Sequence, residues 1–144
     1  MDIQIVKQEE DNTKVIIKCR KIDPEVLRLK SHIELFDQKL SAKKENEVYF
    51  NNPLDVLYIE SVDHRTFLYT EDDELEINQR LYELEHILSD KDFVRISKSQ
   101  IVNINKIRSL KPELNRTILA TMCNKEQLII SRKYAKTIRN ILSI

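Results

Sequence analysis

The 144-residue chain contains no glycine at all, and no other feature limits its backbone so strongly. Loops that cradle phosphate need residues without a Cβ, so that backbone amides can approach the ligand. A glycine-rich nucleotide-binding loop is therefore excluded. Tight turns must be made by Asn and Asp, which tolerate left-handed backbone angles better than other residues with side chains. Asn51-Asn52-Pro53, Asp72-Asp73, Asn115 and Asn124 mark the expected bends.

The length suits one domain with a single substantial core. A net charge of zero conceals a strong polarity along the chain: residues 1–41 hold 8 Lys/Arg and 8 Asp/Glu, residues 42–90 hold 4 and 13, and residues 91–144 hold 12 and 3. The three segments therefore carry 0, −9 and +9. A polyanion responds to the local face rather than to the overall pI, so the last third can supply a nucleic-acid-binding surface. The alternative is neutralisation of the two halves across the fold, although Glu71-Asp72-Asp73-Glu74 reads as a hairpin tip. Apolar runs such as Val15-Ile16-Ile17 fall far short of the roughly 20 residues needed to cross a bilayer. The opening Met1-Asp2-Ile3-Gln4-Ile5-Val6-Lys7 lacks the basic region and apolar stretch of a secretory signal. A cytoplasmic location is expected, with Cys19 and Cys123 as free thiols, since neither has a neighbour at metal or disulfide-framework spacing.

Along the chain, strands are expected at 2–8 and 14–20, followed by Asp23-Pro24, a capping residue with proline at the first helical position. The helix is expected over 24–41, because Val26, Leu29, Ile33, Phe36 and Leu40 recur at the spacings of a helix that packs on a sheet or another helix. That face either covers the N-terminal strand pair or serves self-association. Residues 1–45 thus form a first segment for dimerisation or regulation, and 46–144 a second module of short apolar runs between turn residues. Strands are expected there near 47–50, 54–60, 65–70, 74–77, 93–97, 101–104, 107–111, 116–122 and 126–130. A helix opened by Asn78 carries Leu81, Leu84, Ile87 and Leu88 on one face, and a terminal helix capped by Ser131 turns Tyr134, Ile138, Ile141 and Leu142 inward. The fold class is mostly β, of the α+β kind.

Enzymatic chemistry finds little support. His32, His64 and His86 are isolated from cysteines and from one another, without metal-ligand spacing. Ser97-Lys98-Ser99 places hydroxyls beside an amine, but a nucleophile needs a positioned base and an oxyanion hole, and no pattern in the sequence supplies them. Glu60, Glu83 and Glu85 are three of 24 acids and read as structural or solubilising. No enzyme activity, metal or cofactor is expected.

The cations cluster instead at element boundaries, where side chains reach outward from a rigid sheet. Three places stand out: the turn at His64 and Arg65, Lys98 between two strands, and Arg132-Lys133 at the start of the last helix. Arg and Lys can donate to guanine O6 and N7 in the major groove, with about 1–3 kcal/mol of discrimination per good contact. Lys98 and Arg132 have that chemistry. Ser97, Ser99, Gln100 and Ser131 offer short donors for phosphate oxygens, and a helix N-terminus after Ser131 adds backbone amides and partial positive charge.

Three separated segments carry a resemblance: Tyr58-Ile59-Glu60-Ser61, Phe93-Val94-Arg95-Ile96-Ser97-Lys98-Ser99-Gln100-Ile101-Val102-Asn103, and Leu128-Ile129-Ile130-Ser131-Arg132-Lys133-Tyr134. In order and spacing they resemble the LytTR family of bacterial transcription regulators over about residues 46–144. The resemblance implies elongated antiparallel β-sheets with short helices, and loop residues inserted into successive major grooves of double-stranded DNA. It implies base contacts by Lys98, by Arg132 and by His64 or Arg65; the chemistry of the neighbouring residues adds expected backbone contacts by Ser97, Ser99, Gln100, Ser131 and Lys133. It further implies a homodimer on repeated half-sites. The first 45 residues resemble those of stand-alone members without a receiver domain, some of which answer to a regulatory membrane-protein partner. Two other readings stay open: an RNA-binding module, whose stacking aromatics would come from Tyr49, Phe50, Phe67 and Tyr69 although their strand patterns suit a core, and a protein-interaction adaptor using the 24–41 helix.

Overall fold

Ten antiparallel strands form among the described residues, several of them with the period-two alternation of strands that bury one face, such as Glu74–Ile77 and Ile118–Met122. The computed structural model describes residues 1–36, 38–88 and 92–144. Helix α1 (Pro24–Leu35) comes first, then β1 (Leu40–Lys44), β2 (Glu47–Asn51), β3 (Tyr58–Val62), β4 (Arg65–Tyr69) and β5 (Glu74–Ile77). Helix α2 (Leu81–Leu88) leads to β6 (Phe93–Arg95) and β7 (Gln100–Asn103), and β8 (Ile107–Pro112), β9 (Ile118–Met122), β10 (Gln127–Ile130) and α3 (Arg132–Leu142) complete the chain. One sheet has seven strands in the order β2-β1-β5-β4-β3-β7-β6; the second has three, β10-β9-β8.

The middle strands of the large sheet are apolar on both faces because each face covers a separate core. Ile59, Leu68, Phe93 and Ile101 point to a first core closed by Leu81, Leu84 and Leu88 of α2 and by Leu35 of α1. Their chain neighbours Tyr58, Val94 and Val102 point to a second core, filled by Ile118, Ala120, Met122, Leu128 and Ile130 of the small sheet and by Ala135 and Ile138 of α3. Tyr58 stacks on Tyr69 at a centroid distance of 4.4 Å. Its hydroxyl donates to Glu126 Oε2 at 2.6 Å, which ties the large sheet to the turn before β10. Burial, reinforced by Glu126, pushes the Tyr58 phenol well above its ordinary range. Asn103, fully buried, donates to Val56 O at 2.8 Å and accepts from Asn105 N at 3.0 Å, so its amide leaves no orphaned polar atom.

Without glycine, two hairpins turn on pairs of residues with positive φ: Glu45 and Asn46 between β1 and β2, Asp63 and His64 between β3 and β4. Two-residue loops of this kind match the right-handed twist of the strands. The expected Asn-centred bends at 115 and 124 are present, but the left-handed angle falls one residue later, on Arg116 and Lys125. Asn115 Oδ1 instead accepts from Thr117 N at 3.3 Å, and Asn124 Oδ1 from Glu126 N at 3.1 Å.

Several expectations are corrected. Residues 2–8 and 14–20 form no strand and are exposed almost throughout, because an isolated strand pair has no face to bury and is at best marginal in water; the N-terminal segment is therefore not β-β-α. The helix expected over 24–41 is capped by Asp23, whose side chain accepts from Val26 N at 2.9 Å, but it ends at Leu35. Position 37 lies outside the described residues. Leu40 belongs instead to β1, paired with Asn51 of β2, and Phe36 is exposed. The sheet thus begins at residue 40, ahead of the expected boundary at 46. Residues 53–55 form a 3-10 turn capped by Asn52 rather than strand, as Pro53 dictates. Ser131 precedes α3 but its hydroxyl makes no capping bond, and Ile141 faces solvent. Tyr49 and Phe50 lie exposed on the edge strand β2 instead of in a core.

Candidate nucleic-acid interface

Strand register brings three distant segments to one end of the large sheet. Glu60 of β3 lies opposite Gln100 of β7, so the end of β3 and the start of β7 meet, and the Asp63-His64 turn projects from that same end. Ser61 N donates to Ser99 O at 2.8 Å, and Ser131 N donates to Ile96 O at 2.9 Å. These two backbone bonds fasten the β3–β4 turn and the entrance of α3 to the bend between β6 and β7. Ile96, fully buried in the second core, anchors that bend from below.

The bend itself is Ser97-Lys98-Ser99. Ile96 N bonds to Gln100 O at 3.0 Å across its base, and Ser99 N donates to Ser97 Oγ at 3.2 Å. Arg95 reaches under it: Nε donates to Ser97 O at 2.7 Å, one terminal nitrogen to Lys98 O, and the other to Glu85 Oε2 at 2.9 Å. Lys98 is exposed at the apex, and its ammonium has no ion pair among the described residues. Arg132 is likewise exposed and unpaired among the described residues, as is His64 at the tip of its hairpin.

The remaining site candidates divide. Arg65 is held by a two-point ion pair, Nε to Glu76 Oε1 at 3.0 Å and Nη2 to Glu76 Oε2 at 2.6 Å, and lies over the Phe67 ring at 5.2 Å. The hydrogen bond to Arg65 holds the Glu76 carboxyl below its usual range, and the Arg65 guanidinium is raised in turn. Gln100 is half-buried and its side-chain amide reaches back to Glu60 Oε1 at 3.4 Å. Ser97, Ser99 and Ser131 are half-buried; Lys133 is exposed, with Nζ 5.3 Å from the Tyr134 ring centroid. At the N-terminus of α3, the amides of Tyr134 and Ala135 close on Ser131 O, while those of Arg132 and Lys133 precede the first helical bonds.

Spacing in the sequence does not single out two further cations at this end. Arg80, exposed, follows β5 into α2 beside the hairpin; as one of four cations among thirteen acids in residues 42–90, it is hidden by that segment's net charge. Arg95 sits within the quoted stretch 93–103, but its inward course depends on Glu85 of α2. The acidic tip at Glu71 and Asp72 lies at the opposite end of β4, about 17 Å away for a five-residue strand. The exposed Tyr49 and Phe50 lie on β2, an outer strand of the sheet four positions removed from β3.

The antiparallel scaffold gathers exposed cations, hydroxyls and a helix N-terminus along one rim. The LytTr DNA-binding domain family model matches residues 46–143, and the chain belongs to that family. It is similar to the LytTr DNA-binding domain of a methyl-accepting/DNA response regulator from Bacillus cereus, with a TM-score of 0.71 at 28% identity over 75% of this chain and 99% of that one. It is 24% identical to the sensory transduction protein LytT of Bacillus subtilis over 94% of its own length and 56% of that protein's. It is 34% identical to an HTH-type transcriptional regulator of Staphylococcus aureus over 69% of this chain and 67% of that one. The chain thus spans a little over half the length of LytT. Its fold and family make it a LytTr DNA-binding domain over residues 46–143. Among the described residues no helix is long and apolar enough to cross a membrane.

Proposed function

We propose that this regulator reads a specific duplex sequence through Lys98, Arg132 and His64, whose side chains enter the major groove from one rim. The observation that carries the reading is the pair of backbone bonds, Ser61 N to Ser99 O and Ser131 N to Ile96 O, which lock all three loops to a common frame. Base contacts must be held to a fraction of an ångström to discriminate, and a frame tied to the sheet provides that where independent loops would not. His64 is preferred to Arg65 in the hairpin because Glu76 already occupies the Arg65 guanidinium. Lys133, the hydroxyls of Ser97 and Ser99, and the open amides at the start of α3 serve phosphate oxygens. Gln100 and Ser131 act mainly by shaping the frame.

The test uses a duplex selected from a random pool by the wild-type chain, compared with an unselected duplex. Arg132→Ala is expected to weaken the selected complex by about 5- to 150-fold, the equivalent of one lost bidentate contact, with a much smaller loss on unselected DNA. Lys133→Ala is expected to weaken both alike and to reduce the salt slope by about one unit. Equal losses on both duplexes for Arg132→Ala would remove its base-reading role.

A further inference from the structure

We propose that Arg95 is a positioning residue for DNA reading: it fixes the conformation of the bend so that Lys98 is delivered to the groove. This rests on the base-reading role given to Lys98 above. The carbonyls that Arg95 clasps are those of Ser97 and Lys98, which belong to the two peptide planes flanking Lys98. Two peptide planes on either side of one Cα define its φ and ψ, and thereby the direction of its Cα–Cβ bond. Nε and one terminal nitrogen of a single planar guanidinium thus set where the Lys98 side chain starts. The second terminal nitrogen is held by Glu85 Oε2 at 2.9 Å, so the fork is itself anchored to α2, whose Leu84 and Leu88 are fully buried. Arg95 is mostly shielded, with its side chain 17% exposed, and all of its recorded partners lie beneath the bend or on α2. Its charge is therefore directed inward, away from phosphate. In a chain without glycine, such a bend has no flexible residue to adjust its backbone, and the clasp takes over that role.

The experiment compares Arg95→Ala, Arg95→Lys, Lys98→Ala and the double variant Arg95→Ala/Lys98→Ala on the selected and unselected duplexes, at several salt concentrations, with thermal melts as a check on folding. Arg95→Ala is expected to lower the selected-to-unselected affinity ratio by about the same factor as Lys98→Ala, roughly 5- to 150-fold. The double variant should add little, because both changes remove one contact. Arg95→Lys, which retains the charge but cannot bridge two carbonyls and a carboxylate, should behave like Arg95→Ala and keeps the test decisive if the alanine variant folds poorly. The salt slope should stay unchanged in both Arg95 variants. If Arg95→Lys and Arg95→Ala keep the ratio while Lys98→Ala loses it, the positioning role is wrong and the base-reading role of Lys98 stands. Equal loss on both duplexes with a salt slope lower by about one would make Arg95 a phosphate contact instead. Retention of the ratio by Lys98→Ala would overturn the reading and the positioning role together.

Discussion

Arg65 shows how a single residue's fate is decided outside its own neighbourhood. Beside His64 in the sequence, it is the more obvious donor to guanine, yet the β4–β5 register sets Glu76 opposite Phe67, diagonal to Arg65 on the same face. The resulting two-point pair and the Phe67 ring fix the guanidinium against the sheet. Because Arg65 holds the Glu76 carboxyl below its ordinary pKa, the pair's contribution is complete above the usual carboxylate range and is lost as pH falls through the lowered value. Both partners are exposed, so the effect on stability is small. The effect on binding is not. Glu76→Gln at neutral pH should free Arg65, tighten binding to unselected DNA and steepen the salt slope by about one unit, with the selected-to-unselected ratio falling. A slope and ratio that both stay fixed would mean that Arg65 already meets the duplex while paired. None of this was visible from the sequence, where Arg65 and Glu76 are eleven positions apart and related only through a register.

At the level of elements, legibility follows how much of the information is local. The strands from β3 to β10, and the helices α2 and α3, fall within a few residues of their expected spans, because all but β8 have a buried face that writes its period into the sequence, and β8 packs Ile107 and Leu110 against the second core. The N-terminal strands fail because alternation without a surface to cover carries no driving force. Helix α1 ends early because pairing of Leu40 with Asn51 outcompetes another helical turn. Lys98 stands where its polar surroundings place it, on an exposed bend, whereas the meeting of that bend with the turn at His64 and the start of α3 depends on pairings that no local pattern records. His64 also illustrates what the lack of glycine demands, since it sits at φ 64° in the hairpin turn. The left-handed region costs an L-residue roughly 1–2 kcal/mol, which glycine does not incur. His64→Gly is therefore expected to leave the melting temperature unchanged or raised while lowering the selected-to-unselected affinity ratio, separating the imidazole's role in DNA from its role in the turn. A ratio equal to wild type in a stable His64→Gly protein would withdraw His64 from the base contacts.

Over the whole molecule, the acidic hairpin tip and the exposed cations of the last third are kept apart, although Arg95 of that third pairs with Glu85 of the middle one. The acidic tip at Glu71 and Asp72 and the rim at Lys98 and Arg132 occupy opposite ends of the large sheet, while Asp73 and Glu76 pair locally with Lys44 and Arg65. The length of β4 alone, about 17 Å, exceeds the Debye length of about 8 Å at 0.15 M salt but lies well within the roughly 30 Å found near 0.01 M. With the duplex on the proposed rim, the tip is screened from bound DNA in ordinary salt and acts only as a distant repulsive charge in dilute salt. Replacing Glu71 and Asp72 with Lys should leave the selected-duplex affinity within about twofold at 0.15 M, since no contact at the rim changes. In stopped-flow measurements near 0.01 M, the same variant should associate faster with unselected DNA and lose part of its preference for the selected duplex, because the new cations open a second, non-reading face. A tenfold or greater gain on the selected duplex at 0.15 M would put the tip itself against the DNA, and the interface would then have to be moved from the end of the sheet that carries Lys98 and Arg132 to the end that carries the acids.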